Sequence, residues 1–175
     1  MALADLLKVV NAFTVKDYLT SRNGLLVPTG NLGISRSQMP QIKDFNRFKS
    51  VLNGYGIAVG KKRRRVGDIK MIQNEINKDK VFKLMMDYRK NNKRTRGGVD
   101  FPGNPPVLSS DGYVLDGTHR FVAMYNINKN AYHDFTVVDM PAKELYQLIR
   151  NDNKFFNTVE YKSVVEKEKG AQLGS

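Results

Sequence analysis

Residues 105–127 constrain the fold of this chain more than any other stretch. Pro105-Pro106-Val107-Leu108 is a short apolar run, Ser110-Asp111-Gly112 interrupts it, and Tyr113-Val114-Leu115 resumes it. Two such runs on either side of a turn whose glycine can take positive φ predict a β-hairpin. Asp116-Gly117-Thr118-His119-Arg120 then leads directly into Phe121, Val122, Met124, Tyr125 and Ile127, which read as a buried helix. Gly117 stands at that strand-to-helix junction and lets the backbone turn sharply, exposing N–H groups at a helix N-terminus. Such a turn is an anion pocket.

The flanking segments supply elements to pack against this unit. Leu3, Leu6, Leu7, Val10, Phe13 and Leu19 approach helical spacing over residues 3–21, and a glycine- and proline-containing loop follows from Arg22 to Ser35. Met39-Pro40 reads as the mouth of a second helix, with Ile42, Phe45, Phe48, Val51 and Leu52 repeating every three or four residues until Asn53-Gly54. Residues 65–72 alternate loosely, as a strand leading into Gln73-Asn74-Glu75. Asn77-Lys78-Asp79 opens a helix containing Val81, Phe82, Leu84, Met85 and Tyr88. Residues 91–104 are polar and glycine-rich, a mobile loop by composition. Phe135–Val138 predicts another strand, and Met140-Pro141 starts a helix carrying Leu145, Leu148 and Ile149. Beyond Phe156 the chain turns to Glu/Lys alternation, the pattern of an appendage that is packed or frayed.

These readings predict an α+β fold: a small mixed sheet with packed helices and extra N-terminal helices. The expected organisation is an N-terminal helical extension over 1–60, a core over 61–157 and a tail over 158–175.

Charge restricts the partners. Twenty-nine Lys and Arg against 17 Asp and Glu give +12, a field that favours a polyanion, most often nucleic acid. Ten of the cations sit in two clusters, the unbroken Lys61-Lys62-Arg63-Arg64-Arg65 and the group Arg89, Lys90, Lys93, Arg94 and Arg96. Neither cluster is interleaved with aromatic residues, so both suit phosphate attraction rather than base stacking. The plainer alternative is a pair of solvated loops.

Zero cysteines exclude disulfides, thiolate catalysis, zinc fingers and iron–sulfur clusters, and two histidines, His119 and His133, exclude a multi-histidine metal site. No apolar run approaches the roughly 20 residues of a membrane span. The N-terminal MALADLLKVVNAF carries Asp5 and no basic start, so a signal peptide is not expected, and a soluble intracellular protein is.

The pentapeptide 116–120 combines several phosphate-binding devices. Thr118 suits a helix N-cap and its hydroxyl can bond a phosphate oxygen. Arg120 offers a permanently charged donor fork, and His119 can donate to an anion or shuttle a proton near neutral pH. Asp116 conflicts with a bound phosphate unless a divalent cation or an incoming hydroxyl lies between them, and magnesium would resolve the conflict. The alternative is a structural turn, with Asp116 and Thr118 capping the helix and Arg120 paired to Asp116.

Pro105–Leu108, the Asp-Gly turn, Tyr113–Ala123 and Val137-Val138-Asp139 together resemble the core of the ParB N-terminal-domain/sulfiredoxin superfamily, and Ile69–Ile76 resembles its entry segment with a Gln-x-Glu. The resemblance spans about Val66 to Pro141. It implies a nucleotide-binding fold whose Gly-x-His-Arg turn (Gly117, Thr118, His119, Arg120) holds the phosphates of ATP, ADP or CTP with magnesium. Sulfiredoxins carry a cysteine where this chain has Thr118, so sulfinic acid reduction does not transfer. ParB partitioning proteins append a helix-turn-helix domain for which little chain remains. Free serine kinases of the superfamily share the Asp-Gly-x-His-Arg turn and use an entry-segment glutamate as base, here Glu75. Many short phage and plasmid members are labelled "ParB-like nuclease". For a chain of that kind the expected location is the cytoplasm, that of a bacterial host if the protein is virus-encoded.

A phosphotransferase or NTPase acting on or with nucleic acid is therefore the leading expectation, modified viral DNA being one conceivable acceptor. Glu75, Asp116 and His119 would be catalytic, Gly117, Thr118, His119 and Arg120 would hold the nucleotide, and Asp116 would hold magnesium. Lys61, Lys62, Arg63, Arg64, Arg65, Arg94 and Arg96 would contact nucleic acid. Three alternatives stand beside it: a non-catalytic DNA-binding module, a metal-dependent nuclease drawing on Asp100, Asp111 and Asp116, and a host-directed inhibitor acting through the N-terminal helices.

Overall fold

The computed structural model describes residues 25–26, 28–90, 94–95, 98–99, 104–161 and 171–172. In chain order these form β1 (Pro40–Ile42), α1 (Phe45–Gly54), β2 (Val59–Arg65), β3 (Lys70–Met71), β4 (Glu75–Ile76), α2 (Lys78–Lys90), β5 (Arg94–Thr95) and β6 (Gly98–Val99). The order continues with β7 (Val107–Ser109), β8 (Tyr113–Asp116), α3 (Thr118–Asn128), β9 (Tyr132–Val138), α4 (Ala142–Asn151), β10 (Val159–Tyr161) and β11 (Ala171–Gln172). The fold is α+β around a mixed sheet. The helix read over 3–21 lies outside the described residues.

The hairpin forms where the apolar runs place it. β7 and β8 pair antiparallel across a turn in which Gly112 takes φ 85°. Ser109 Oγ donates to Asp111 Oδ1 at 2.5 Å, and the same carboxylate oxygen accepts from Ala142 N at 2.9 Å, tying the turn to the start of α4. The full sheet runs in the order β2-β9-β7-β8-β3, with β9 parallel to β7 and β3 parallel to β8.

Side-chain alternation divides the core between the two faces of this sheet. Leu108, Val114, Phe135 and Val137 pack with Val81, Met85 and Tyr88 of α2 and with Phe121, Val122 and Met124 of α3. Val107, Leu115 and Val138 pack with Phe48 and Leu52 of α1 and with Ala142, Leu145 and Ile149 of α4. Both faces are covered, so the central strands read as nearly continuous apolar runs.

Three local readings are corrected. The second helix does not start at Met39-Pro40: residues 40–42 form β1, paired antiparallel with β10, and the helix begins at Phe45 behind Asp44, whose side chain accepts from Arg47 N at 3.0 Å. Pro40 is tolerated as the first residue of a short strand, where no ladder bond from its nitrogen is needed. The basic run 61–65 is not a loop but most of β2, paired residue by residue with β9. An edge strand needs a partner on one side only, and its side chains can all be solvated, so its pattern carries no hydrophobic alternation. Third, residues 65–72 are not one strand. A 3-10 turn occupies Val66–Asp68 and only Lys70–Met71 pair with the sheet.

Segments far apart in the chain meet outside the main sheet. β1 pairs with β10 and β4 with β11, so the stretch read as extension is paired with the one read as tail, and the tail with the middle of the chain. β5 and β6 form a small hairpin within the stretch read as a loop.

Candidate functional site

The site is built at the carboxyl end of β8. Asp116 ends the strand, Gly117 takes φ 84° and ψ 27°, and α3 starts at Thr118. Glycine is required there by contact as well as by φ: a Cβ at 117 would lie 3.1 Å from Pro106 Cα and 3.2 Å from Pro106 Cβ. Gly117 is the N-cap and brings no side chain to cap the helix. The N-cap residue therefore contributes no carboxylate or hydroxyl of its own over the first turn of α3, where the positive end of the helix dipole lies. Thr118 is thus not the cap. It is the first helical residue, and it is buried.

A cavity of about 200 Å³ opens in front of this turn. Gly117, Thr118, His119 and Arg120 form one wall, and Arg36, Gln73, Gln41 and Lys80 complete its polar lining, with Met39, Pro40, Leu84 and Leu115 as apolar contacts. Arg36 is only 5 % exposed and Gln73 only 4 %. Three cations and one carboxylate, Asp116, line the space. With cations outnumbering carboxylates, this lining favours an anion over a cation.

Asp116 is held by backbone. Its Oδ1 accepts from Gly117 N at 2.8 Å and its Oδ2 from Ile42 N at 3.2 Å, which fastens β1 over the turn. Arg120 does not pair with it: Arg120 Nη1 donates to the Asn104 carbonyl. The structural-turn alternative, which needs that ion pair, therefore fails in this respect. A carboxylate oxygen can accept more than one bond, so the group can still meet a cation shared with phosphate oxygens. Among the described residues no group of three His, Cys, Asp or Glu converges as a protein-only metal site. Asp111 bonds within the hairpin turn and to the start of α4, and Asp100, another of the acids suggested for a nuclease, lies outside the described residues.

Two residues expected to be catalytic are engaged in hydrogen bonds with other parts of the chain. His119 is buried, and its Nε2 accepts from Asn77 N at 2.9 Å, which assigns the proton to Nδ1. The ring bolts α3 to the start of α2, where Asn77 Oδ1 in turn accepts from Lys80 N at 3.1 Å. With Nε2 engaged as an acceptor, that nitrogen is not a proton donor to a bound anion. Glu75 does not line the cavity. Its Oε1 accepts from Arg36 N at 2.7 Å, and its carbonyl accepts from Gln73 Nε2 at 2.6 Å. Glu75 thus stands behind the wall, its carboxylate bonded to the backbone of one lining residue and its carbonyl to the side chain of another.

Arg36, Gln41 and Lys80 carry no sequence signal that picks them out. Arg36 sits between two serines in a polar loop, and Lys80 looks like any solvent-facing lysine of a first helical turn. Gln73 is visible only as part of the Gln-x-Glu of the entry segment. Lys61–Arg65 are far from the cavity along the chain, on the sheet edge, and Arg94 falls in β5. Arg96 lies outside the described residues.

Burial also marks Tyr88, on the inner face of α2. Removal from water pushes its phenol up to about 12, against the opposing pull of the Arg120 charge and with a small addition from Asp87. No helix among the described residues is long and apolar enough to cross a membrane. Compared with protein-family models, curated proteins and solved structures, the chain matches none of them.

Proposed function

We propose that this protein binds the phosphate chain of a nucleoside di- or triphosphate at residues 116–120 and acts as a phosphotransferase or NTPase of the ParB/sulfiredoxin-like kind. One observation carries the reading. A helix N-terminus on a left-handed glycine and three cations, one of them a buried arginine, line the same small cavity. At about 200 Å³ the cavity is smaller than the roughly 300–1,000 Å³ that encloses a whole drug-sized ligand. It suits a phosphate chain, with the nucleoside outside.

Phosphoryl transfer asks a protein mainly for positioning and electrostatic stabilisation. The amides of the α3 first turn and the Arg120 fork would hold the phosphate oxygens, while Arg36 and Lys80 neutralise charge from the opposite wall. Asp116 suits magnesium, which usually takes one or two carboxylates together with substrate phosphates and would offset their charge. Glu75 holds the backbone of Arg36 beside the cavity, and His119 keeps α2, and with it Lys80, in register with α3. The engagement of both residues favours binding and charge stabilisation over proton abstraction as their contribution.

The test is a thermal-shift panel of ATP, ADP, CTP, GTP and inorganic tripolyphosphate, with and without magnesium. At a hundredfold excess over Kd, binding stabilises by about 2.7 kcal/mol, which for a chain of this size raises Tm by roughly 5–11 °C. Arg120→Ala and Lys80→Ala should each reduce the shift while leaving the unliganded Tm nearly unchanged. No shift with any of the five ligands would remove the proposal.

A further inference from the structure

The basic strand has a geometry that the run of letters does not show. β2 is the edge of the five-stranded sheet, and all five cations lie on it. Its register with β9 sorts them by face, because directly opposed residues of an antiparallel pair point the same way. Lys61, Arg63 and Arg65 share a face with Thr136, Asp134 and Tyr132, while Lys62 and Arg64 share the other with Phe135 and His133. The first face is partly neutralised: Arg63 Nη1 lies 3.7 Å from Asp134, and Arg65 Nη1 lies 2.9 Å from Asp68. Lys61, Lys62 and Arg64 make no ion pair among the described residues. The Lys62/Arg64 face thus keeps its full charge.

The direction of the ribbon matters too. Asp116 is opposite Val107, Val107 opposite Thr136, and Thr136 opposite Lys61. These four residues form one row across the sheet, so the backbone of Lys61 stands roughly 14 Å, three strand spacings, from that of Asp116. From that row, Arg63–Arg65 and Tyr132–Asp134 run on past the end of β8, where the burial of β9 gives way to exposure at Tyr132 and Asp134. The charged end of the ribbon and the phosphate cavity therefore open at the same end of the sheet.

We infer that the β2–β9 ribbon is a docking edge for the sugar–phosphate backbone of a nucleic acid. Cations two residues apart on one face of a strand are about 7 Å apart, a repeat close to that of successive phosphates along one nucleic-acid strand. Lys62 and Arg64 take neighbouring phosphates, with Lys61 at the margin nearest the cavity. Contacts of this kind carry no base readout, so binding is independent of sequence and steeply dependent on salt. The inference stands on the ribbon alone and does not need the cavity to hold a nucleotide.

The experiment is fluorescence anisotropy of a labelled random-sequence DNA duplex across a salt series, using the full chain. Lys62→Ala/Arg64→Ala should weaken binding and lower the log–log salt slope by about 1.8, at about 0.9 for each phosphate that is no longer neutralised. Arg63→Ala, whose charge is already paired, should lower it less. Arg120→Ala should leave it unchanged, which separates this surface from the cavity. An unaltered slope in the double variant would overturn the inference. So would an absence of DNA binding by the wild type, including the case in which it binds anionic lipid vesicles or an acidic polypeptide instead. Both substituted side chains are exposed, and circular dichroism of the double variant should match the wild type.

Discussion

Replacing Gly117 by alanine tests the turn on which the candidate site depends. Two costs add at this position. A non-glycine residue in the left-handed region costs roughly 1–2 kcal/mol, since Gly117 has φ 84°. The new Cβ would also meet Pro106 Cα at 3.1 Å and Cβ at 3.2 Å. Pro106 cannot easily withdraw, because its carbonyl accepts from Thr136 N at 3.2 Å and the next residue enters the middle of the sheet. Overpacking of this kind costs typically 1–3 kcal/mol, which brings the total to about 2–5 kcal/mol. Gly56 provides the reference: its φ is 75° and nothing lies within 4 Å of a Cβ there, so Gly56→Ala bears the backbone cost alone. Urea unfolding of both variants against the wild type measures the difference, expected at about 1–3 kcal/mol. Gly117→Ala should also lose the nucleotide-dependent thermal shift, whereas Gly56→Ala should keep it. Equal destabilisation at the two positions would refute the argument that close contact with Pro106 demands glycine at the turn.

Two further outcomes follow from the interior. His119→Ala removes the acceptor of the Asn77 amide and should destabilise by about 1–3 kcal/mol in urea unfolding; a neutral result would dismiss the bolt between α2 and α3. Tyr88 has a folded-state pKa raised by burial to about 12 from the ordinary 10. The unfolded chain therefore releases this proton first as pH rises: the stabilisation is complete below about pH 10 and is lost progressively towards pH 12. Stability measured from pH 9 to 12 should fall more steeply for the wild type than for Tyr88→Phe, and parallel curves would contradict the sign.

Legibility follows the range of the interaction that forms each element. The hairpin 107–116, the start of α3 behind Gly117, the strand ending at Val138 and the α4 helix are all visible because turn chemistry and apolar spacing act over a few residues. β1 is not visible. Residues 40–42 continue the helical spacing of Phe45 and Phe48, and only β10, more than a hundred residues later, turns them into a strand. The Lys61–Arg65 strand is invisible for a different reason: an edge strand with solvated side chains has no apolar face to announce it. Its register also brings Tyr132 opposite Arg65, an aromatic neighbour that the basic run itself lacks.

The candidate site divides in the same way. Asp116, Gly117, Thr118 and Arg120 could be named from sequence because a strand–glycine–helix junction is local, and the backbone alone dictates where its amides point. The opposite wall comes from Arg36, Gln41 and Lys80, whose approach depends on β1 lying over the turn and on His119 gripping α2. Glu75 and His119 have the right chemistry for catalysis, yet tertiary contacts engage both in holding other residues. Residue types and short spacings thus determined an α+β chain with a strand–glycine–helix turn and a surplus of positive charge. Which cations face that turn, which face the sheet edge, and which polar groups are already occupied were decided by long-range strand pairing and helix docking, because a side chain acquires its neighbours only when distant segments close on one another.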